Sequence, residues 1–127
     1  MTLSRLDHYN IETVLPDETV TFYTDVLGLV NAPERRPVGP VPGTWILVGD
    51  HPAVHVNFVE RDRAGVTGSI DHVAFEGSGF EAMCAHLDEL AVTYEVVETP
   101  QYHLKQIYVV DPNGIRIEIN IRGEFAG

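Results

Sequence analysis

His8 and His72 stand 64 residues apart in nearly identical phrases, Leu6-Asp7-His8-Tyr9-Asn10-Ile11 and Ile70-Asp71-His72-Val73-Ala74-Phe75. A carboxylate, Glu118, closes the run Asp111-Pro112-Asn113-Gly114-Ile115-Arg116-Ile117. Two imidazoles and one carboxylate are the minimal set that holds a divalent transition metal while leaving positions open for substrate. A fourth group, His55, lies 63 residues before Glu118 in a similar setting, Val54-His55-Val56-Asn57 against Ile117-Glu118-Ile119-Asn120. A lone strand histidine is more often a hydrogen-bonded structural residue than a ligand. Here four metal-type residues recur at related places of a duplicated pattern, and that shifts the balance toward a site. His55 is read either as a fourth ligand or as a general base.

The elements that must carry these residues read as two copies of strand, helix and three strands, an α+β chain. Module one spans about residues 4–60 and module two about 68–122 of a single 127-residue domain. Strands are expected over Leu6–Ile11, Trp45–Val48, Ala53–Val59, Thr93–Val97, Gln106–Val110 and Ile115–Ile121, with a weaker one near Leu29–Ala32. Asp17 is the expected N-cap of a helix presenting Val20, Tyr23 and Leu27, ended by Gly28. Ser78 and Glu81 have capping-box spacing ahead of Met83, Leu87 and Leu90. The segment Pro33–Gly43 reads as a surface loop.

Alternation assigns the faces. Ile115, Ile117, Ile119 and Ile121 form one side of the last strand, and Arg116, Glu118 and Asn120 the other. His8 and Asn10, and likewise His55 and Asn57, occupy the polar side of theirs. The hairpin Asp111-Pro112-Asn113-Gly114 suits a bulged turn with Gly114 left-handed, which pairs Tyr108 with Glu118 and places a phenol on the polar face. By the repeat, Trp45 pairs with His55. His103 is a loop-borne candidate catalytic residue. Arg35 and Arg36 read as exposed loop charge, able to attract an acidic substrate.

A net charge of -11 argues against nucleic acid or an anionic membrane surface as partner. No apolar run approaches the ~18 residues that span a bilayer, and no signal-peptide core is evident at the N-terminus. The single cysteine, Cys84, suits a reducing compartment. A cytoplasmic location is expected.

The phrases Leu6-Asp7-His8, Thr21-Phe22-Tyr23-Thr24-Asp25-Val26-Leu27-Gly28-Leu29, Ile70-Asp71-His72-Val73 and Asp111-Pro112-Asn113-Gly114 through Glu118 resemble the vicinal oxygen chelate superfamily over essentially the whole chain. That superfamily includes glyoxalase I, extradiol dioxygenases, methylmalonyl-CoA epimerase and the fosfomycin and bleomycin resistance proteins. The resemblance implies paired βαβββ modules forming a cupped mixed sheet around a divalent metal held by His8, His72 and Glu118, commonly in a homodimer. Tyr108-x-x-x-Pro112-x-Gly114-x-x-x-Glu118 is similar to the closing signature of the extradiol enzymes, although that signature wants its histidine further upstream than His103. An extradiol-type ring-cleaving dioxygenase using Fe2+ on a small vicinal-dioxygen substrate is therefore slightly favoured. The alternatives are a glyoxalase- or epimerase-type enzyme using Ni2+, Co2+, Zn2+ or Mn2+, with His55 as ligand or base, and a non-catalytic protein that sequesters a drug or metabolite.

Overall fold

A computed structural model describes residues 1–65 and 67–125 and divides the chain into two compact units, Met1–Arg63 and Ala64–Gly127. Each is a βαβββ module, so the fold is α+β with two tandem repeats. The first unit carries β1 (Tyr9–Thr13), α1 (Pro16–Thr21), β2 (Val30–Asn31), β3 (Gly43–Val48) and β4 (His51–Phe58). The second carries β5 (Val73–Gly77), α2 (Phe80–Glu89), β6 (Glu95–Thr99), β7 (Leu104–Val110) and β8 (Arg116–Arg122). The two four-stranded sheets have the same order, β1-β4-β3-β2 and β5-β8-β7-β6. In both, the first strand is parallel to the last and the other pairs are antiparallel.

The hairpin registers follow the turn chemistry. Gly114 takes φ +85°, and the Asp111 carboxylate accepts the amides of Asn113 and Ile115, both at 2.8 Å. This bulge pairs Tyr108 with Glu118, Ile107 with Ile119 and Gln106 with Asn120, while Trp45 pairs with His55. The inward faces then bury Ile46, Val54 and Val56 in the first unit and Ile107, Val109, Ile117, Ile119 and Ile121 in the second. Each such side chain contributes roughly 1.5–3 kcal/mol of transfer free energy, so the register that exposes the opposite, polar face is strongly fixed.

Three local expectations need correction. The first strand starts at Tyr9, three residues later than expected, and Leu6 is 83% exposed. The backbone oxygen of Asp7 accepts from the His51 ring at 2.6 Å and so is taken by a side chain. Helix α1 has Leu15, not Asp17, as its N-cap, with Pro16 pre-set for the first turn and Asp17 and Glu18 facing its positive end. It then widens into a π-helical turn over Phe22–Val26, and the buried positions become Thr19, Phe22, Tyr23 and Val26. Helix α2 has Gly79 as N-cap and no capping side chain of its own. Glu124, beyond β8, instead accepts from the amides of Gly79 and Phe80, both at 2.8 Å. Those two bonds hold its carboxyl below its ordinary range.

Candidate active site

In the second unit the polar face of β7 and β8 gathers Tyr108, Glu118, Asn120 and Gln106. Glu118 is buried among them, with its side chain 9% exposed. Its Oε2 accepts from Asn120 Nδ2 at 2.9 Å, and Asn120 in turn accepts from Gln106 at 3.1 Å. Its Oε1 lies 3.7 Å from His72 Nε2. Burial pushes the Glu118 carboxyl up, but the hydrogen bonds from Tyr108 and Asn120 and the nearby His72 outweigh it, and the net shift is downward. The same contact to Glu118, reinforced by burial, raises the Tyr108 phenol. Glu118 is thus an anion and Tyr108 a neutral donor at neutral pH. A pocket of about 260 Å³ opens beside Tyr108, with Tyr94, Glu95, Val109 and Arg116 among its lining.

His72 sits just before β5 and is held from behind. Its Nδ1 donates to Asp71 Oδ2 at 2.8 Å, and Arg116 reaches the same oxygen at 3.3 Å while lying over the Tyr108 ring. The first unit repeats this device, with His8 Nδ1 donating to Asp7 Oδ2 at 2.6 Å. An ionised carboxylate only accepts, so in each pair Nδ1 is the donor and Nε2 is the ring nitrogen turned away from the aspartate. Both aspartates are held below the ordinary carboxylate range, chiefly by these bonds. The sequence displays this arrangement as a repeated Asp-His dipeptide, yet sequence reasoning had singled out only the histidines.

The rest of the first-unit group is a stack. The His55 ring lies 3.6 Å from that of His8 and 13° from parallel, and 4.2 Å from Trp45 on its other side at 12°. Burial, followed by the neighbouring His8, lowers the His55 pKa below 6.5, so it is neutral at pH 7. His103 is not part of either group. It is a left-handed residue at the start of β7, with its ring 6.3 Å from Phe125, five residues along the strand from Tyr108. Among the described residues, no cluster of three or more His, Cys, Asp or Glu side chains gathers at one point, each unit holding part of the expected set.

A family model, the Glyoxalase/Bleomycin resistance protein/Dioxygenase superfamily, matches residues 5–119. The chain belongs to this superfamily. Glyoxylase I 4 of Arabidopsis thaliana is 26% identical over 125 residues, covering 92% of this chain and 70% of that protein. Among solved structures, a superfamily domain from Frankia sp. EAN1pec superposes with a TM-score of 0.77 at 14% identity, covering 98% of this chain and 96% of the other. A mutant of the fosfomycin resistance protein FosX from Listeria monocytogenes, complexed with Mn(II) and 1S,2S-dihydroxypropylphosphonic acid, gives 0.73 at 12% identity, with 97% and 95% covered. At these identities the structures establish the superfamily fold. No helix among the described residues is long and apolar enough to cross a membrane.

Proposed function

We propose that the chain is a divalent-metal-dependent enzyme of the superfamily that transfers a proton at the carbon beside a carbonyl of a small substrate bearing two adjacent oxygens, as a glyoxalase- or epimerase-type catalyst. The observation that carries the reading is the matched pair of Asp–His dyads, which turn His8 and His72 Nε2 outward, with Glu118 Oε1 3.7 Å from the second of them. Two imidazole nitrogens and one carboxylate fit a divalent ion such as Zn2+, Ni2+, Co2+, Mn2+ or Fe2+. When bound, such an ion supplies Lewis-acid polarisation of a substrate carbonyl.

The remaining steps fall to the chain's own groups. A ring lone pair lies in the ring plane, and the near-parallel His8 and His55 direct theirs along separate lines. His55 is therefore assigned as the base, taking a proton from the carbon beside the carbonyl and returning it to the adjacent carbon in a glyoxalase-type reaction or to the same carbon in an epimerase-type one. Its lowered pKa keeps the ring in the unprotonated, proton-accepting form at pH 7. Trp45 covers its far face. Tyr108 holds the Glu118 carboxylate in place. That engagement, together with the Arabidopsis Glyoxylase I 4 relative, favours proton transfer over the extradiol reading, in which Tyr108 would serve the substrate. We place the enzyme in the cytoplasm as a homodimer.

The test is elemental analysis of the gently purified protein beside turnover of the glutathione–methylglyoxal hemithioacetal. A stoichiometric divalent ion with hemithioacetal isomerisation supports the reading. Iron with catechol-dependent oxygen uptake would replace it by the dioxygenase, and absence of metal would favour sequestration.

The dyads carry a separate expectation. Asp71→Asn replaces an acceptor-only carboxylate by an amide that can turn its NH2 toward Nδ1, so the Nε2–H tautomer grows, visible in ring-nitrogen NMR of the metal-free protein. Zn2+ affinity falls by ~10–100-fold, the usual cost of losing a partner behind a ligand. An unchanged tautomer would remove Asp71 from this role.

A further inference from the structure

Arg36 differs from the exposed loop charge that the sequence suggested. Its guanidinium is half-buried and fixed at two points: Nη1 donates to the Val41 carbonyl at 2.9 Å, and Nη2 to Asn57 Oδ1 at 3.1 Å. Gly43 makes the seat for it. A Cβ there would stand 3.0 Å from Arg36 Cζ and 2.1 Å from the Val56 carbonyl oxygen. Asn57 and His55 are two residues apart on one strand, so both project from the polar face of β4, about 7 Å apart along it. Arg36 is thereby held on the same face as the Trp45–His55–His8 stack.

Both described acceptors of Arg36 are neutral oxygens. Arg63, Lys105 and Arg116 instead each have a carboxylate partner. No such partner exists for Arg36 among the described residues. Its planar fork has five N–H donors, of which two are engaged. A fixed, half-desolvated guanidinium with spare donors beside the working groups is matched by a planar anion able to accept two of them.

We propose that Arg36 is the specificity residue that anchors a carboxylate on the substrate, making the natural substrate an acid whose carboxylate lies apart from its two adjacent oxygens. The inference rests on the metal reading above and narrows its substrate class. Asn57 and the Val41 carbonyl act as positioning groups that aim the fork.

The test uses calorimetry on the full-length Zn2+-loaded protein with three probes: catechol, 3,4-dihydroxybenzoate and 3,4-dihydroxybenzamide. The acid and the amide share shape and chelating oxygens and differ in charge. The wild type is expected to prefer the acid over the amide by about 10–100-fold, the range of a charge-assisted hydrogen bond. Arg36→Gln brings that ratio close to unity. Asn57→Asp, which gives the guanidinium a carboxylate partner while keeping the arginine, lowers the ratio as well and covers the case in which Arg36→Gln fails to fold. Equal binding of acid and amide by the wild type overturns the proposal, as does a preference that survives Arg36→Gln in folded protein. Failure of all three probes to bind, catechol included, overturns the chelation reading and this proposal with it.

Discussion

Glu118→Gln is expected to abolish divalent-metal binding while leaving the fold intact. The amide is nearly isosteric, so its oxygen can keep the bond from Asn120, and the β8 register is held by Ile117, Ile119 and Ile121 on the opposite face. What is lost is the negative charge next to His72 Nε2. Removal of a direct ligand should exceed the ~10–100-fold cost of removing a group behind one, so occupancy after dialysis against a weak chelator drops to background. A second readout needs no metal. The Tyr108 phenol is raised chiefly by its bond to Glu118, and in the variant it returns toward 10, visible in an ultraviolet titration. Wild-type metal affinity in a folded variant would exclude Glu118 from the ligand set.

The second large effect is expected from His55→Ala, and it separates the two roles of this residue. As a base, His55 contributes ~10²–10⁴-fold to turnover, and its removal leaves metal content unchanged while hemithioacetal turnover falls by that factor. As a ligand, its removal lowers metal content in step with activity. The geometry supports the first outcome, since His55 lies flat between Trp45 and His8 instead of converging on the outward nitrogen of His8. Metal loss in His55→Ala would reverse that assignment.

What was legible in the sequence was governed by short-range chemistry. The Asp-Pro-Asn-Gly turn and the alternation of Ile117, Glu118, Ile119 and Asn120 were enough to place Tyr108 opposite Glu118, because a bulged turn admits one register and one face must be buried. The features that were missed depend on partners far along the chain. Leu6 looks like a strand residue, and nothing nearby reveals that His51, 44 residues on, occupies the Asp7 carbonyl. Arg36 reads as loop charge until Asn57, 21 residues later, is seen beneath it. The π-helical turn at Phe22–Val26 has no simple periodic signal, so Thr19 and Phe22 replaced Val20 and Leu27 as buried positions. Asp7 and Asp71 were in plain view, but a metal-centred reading looks at ligands before the groups that orient them.

The carboxylate cap on α2 has a consequence for how the second module comes to exist. Glu124 reaches the first turn of that helix across 44 and 45 residues, whereas α1 begins with its own proline and acidic turn. A nascent chain could therefore start α1 soon after it emerges. The Gly79 and Phe80 amides that open α2 have no side-chain acceptor until nearly the whole of its unit has been synthesised and Glu124 is in place. Closing a contact of that span costs chain entropy before it returns any stability. The two copies of one architecture are thus expected to acquire order by different routes, the first from its leading edge and the second from its last residues backward.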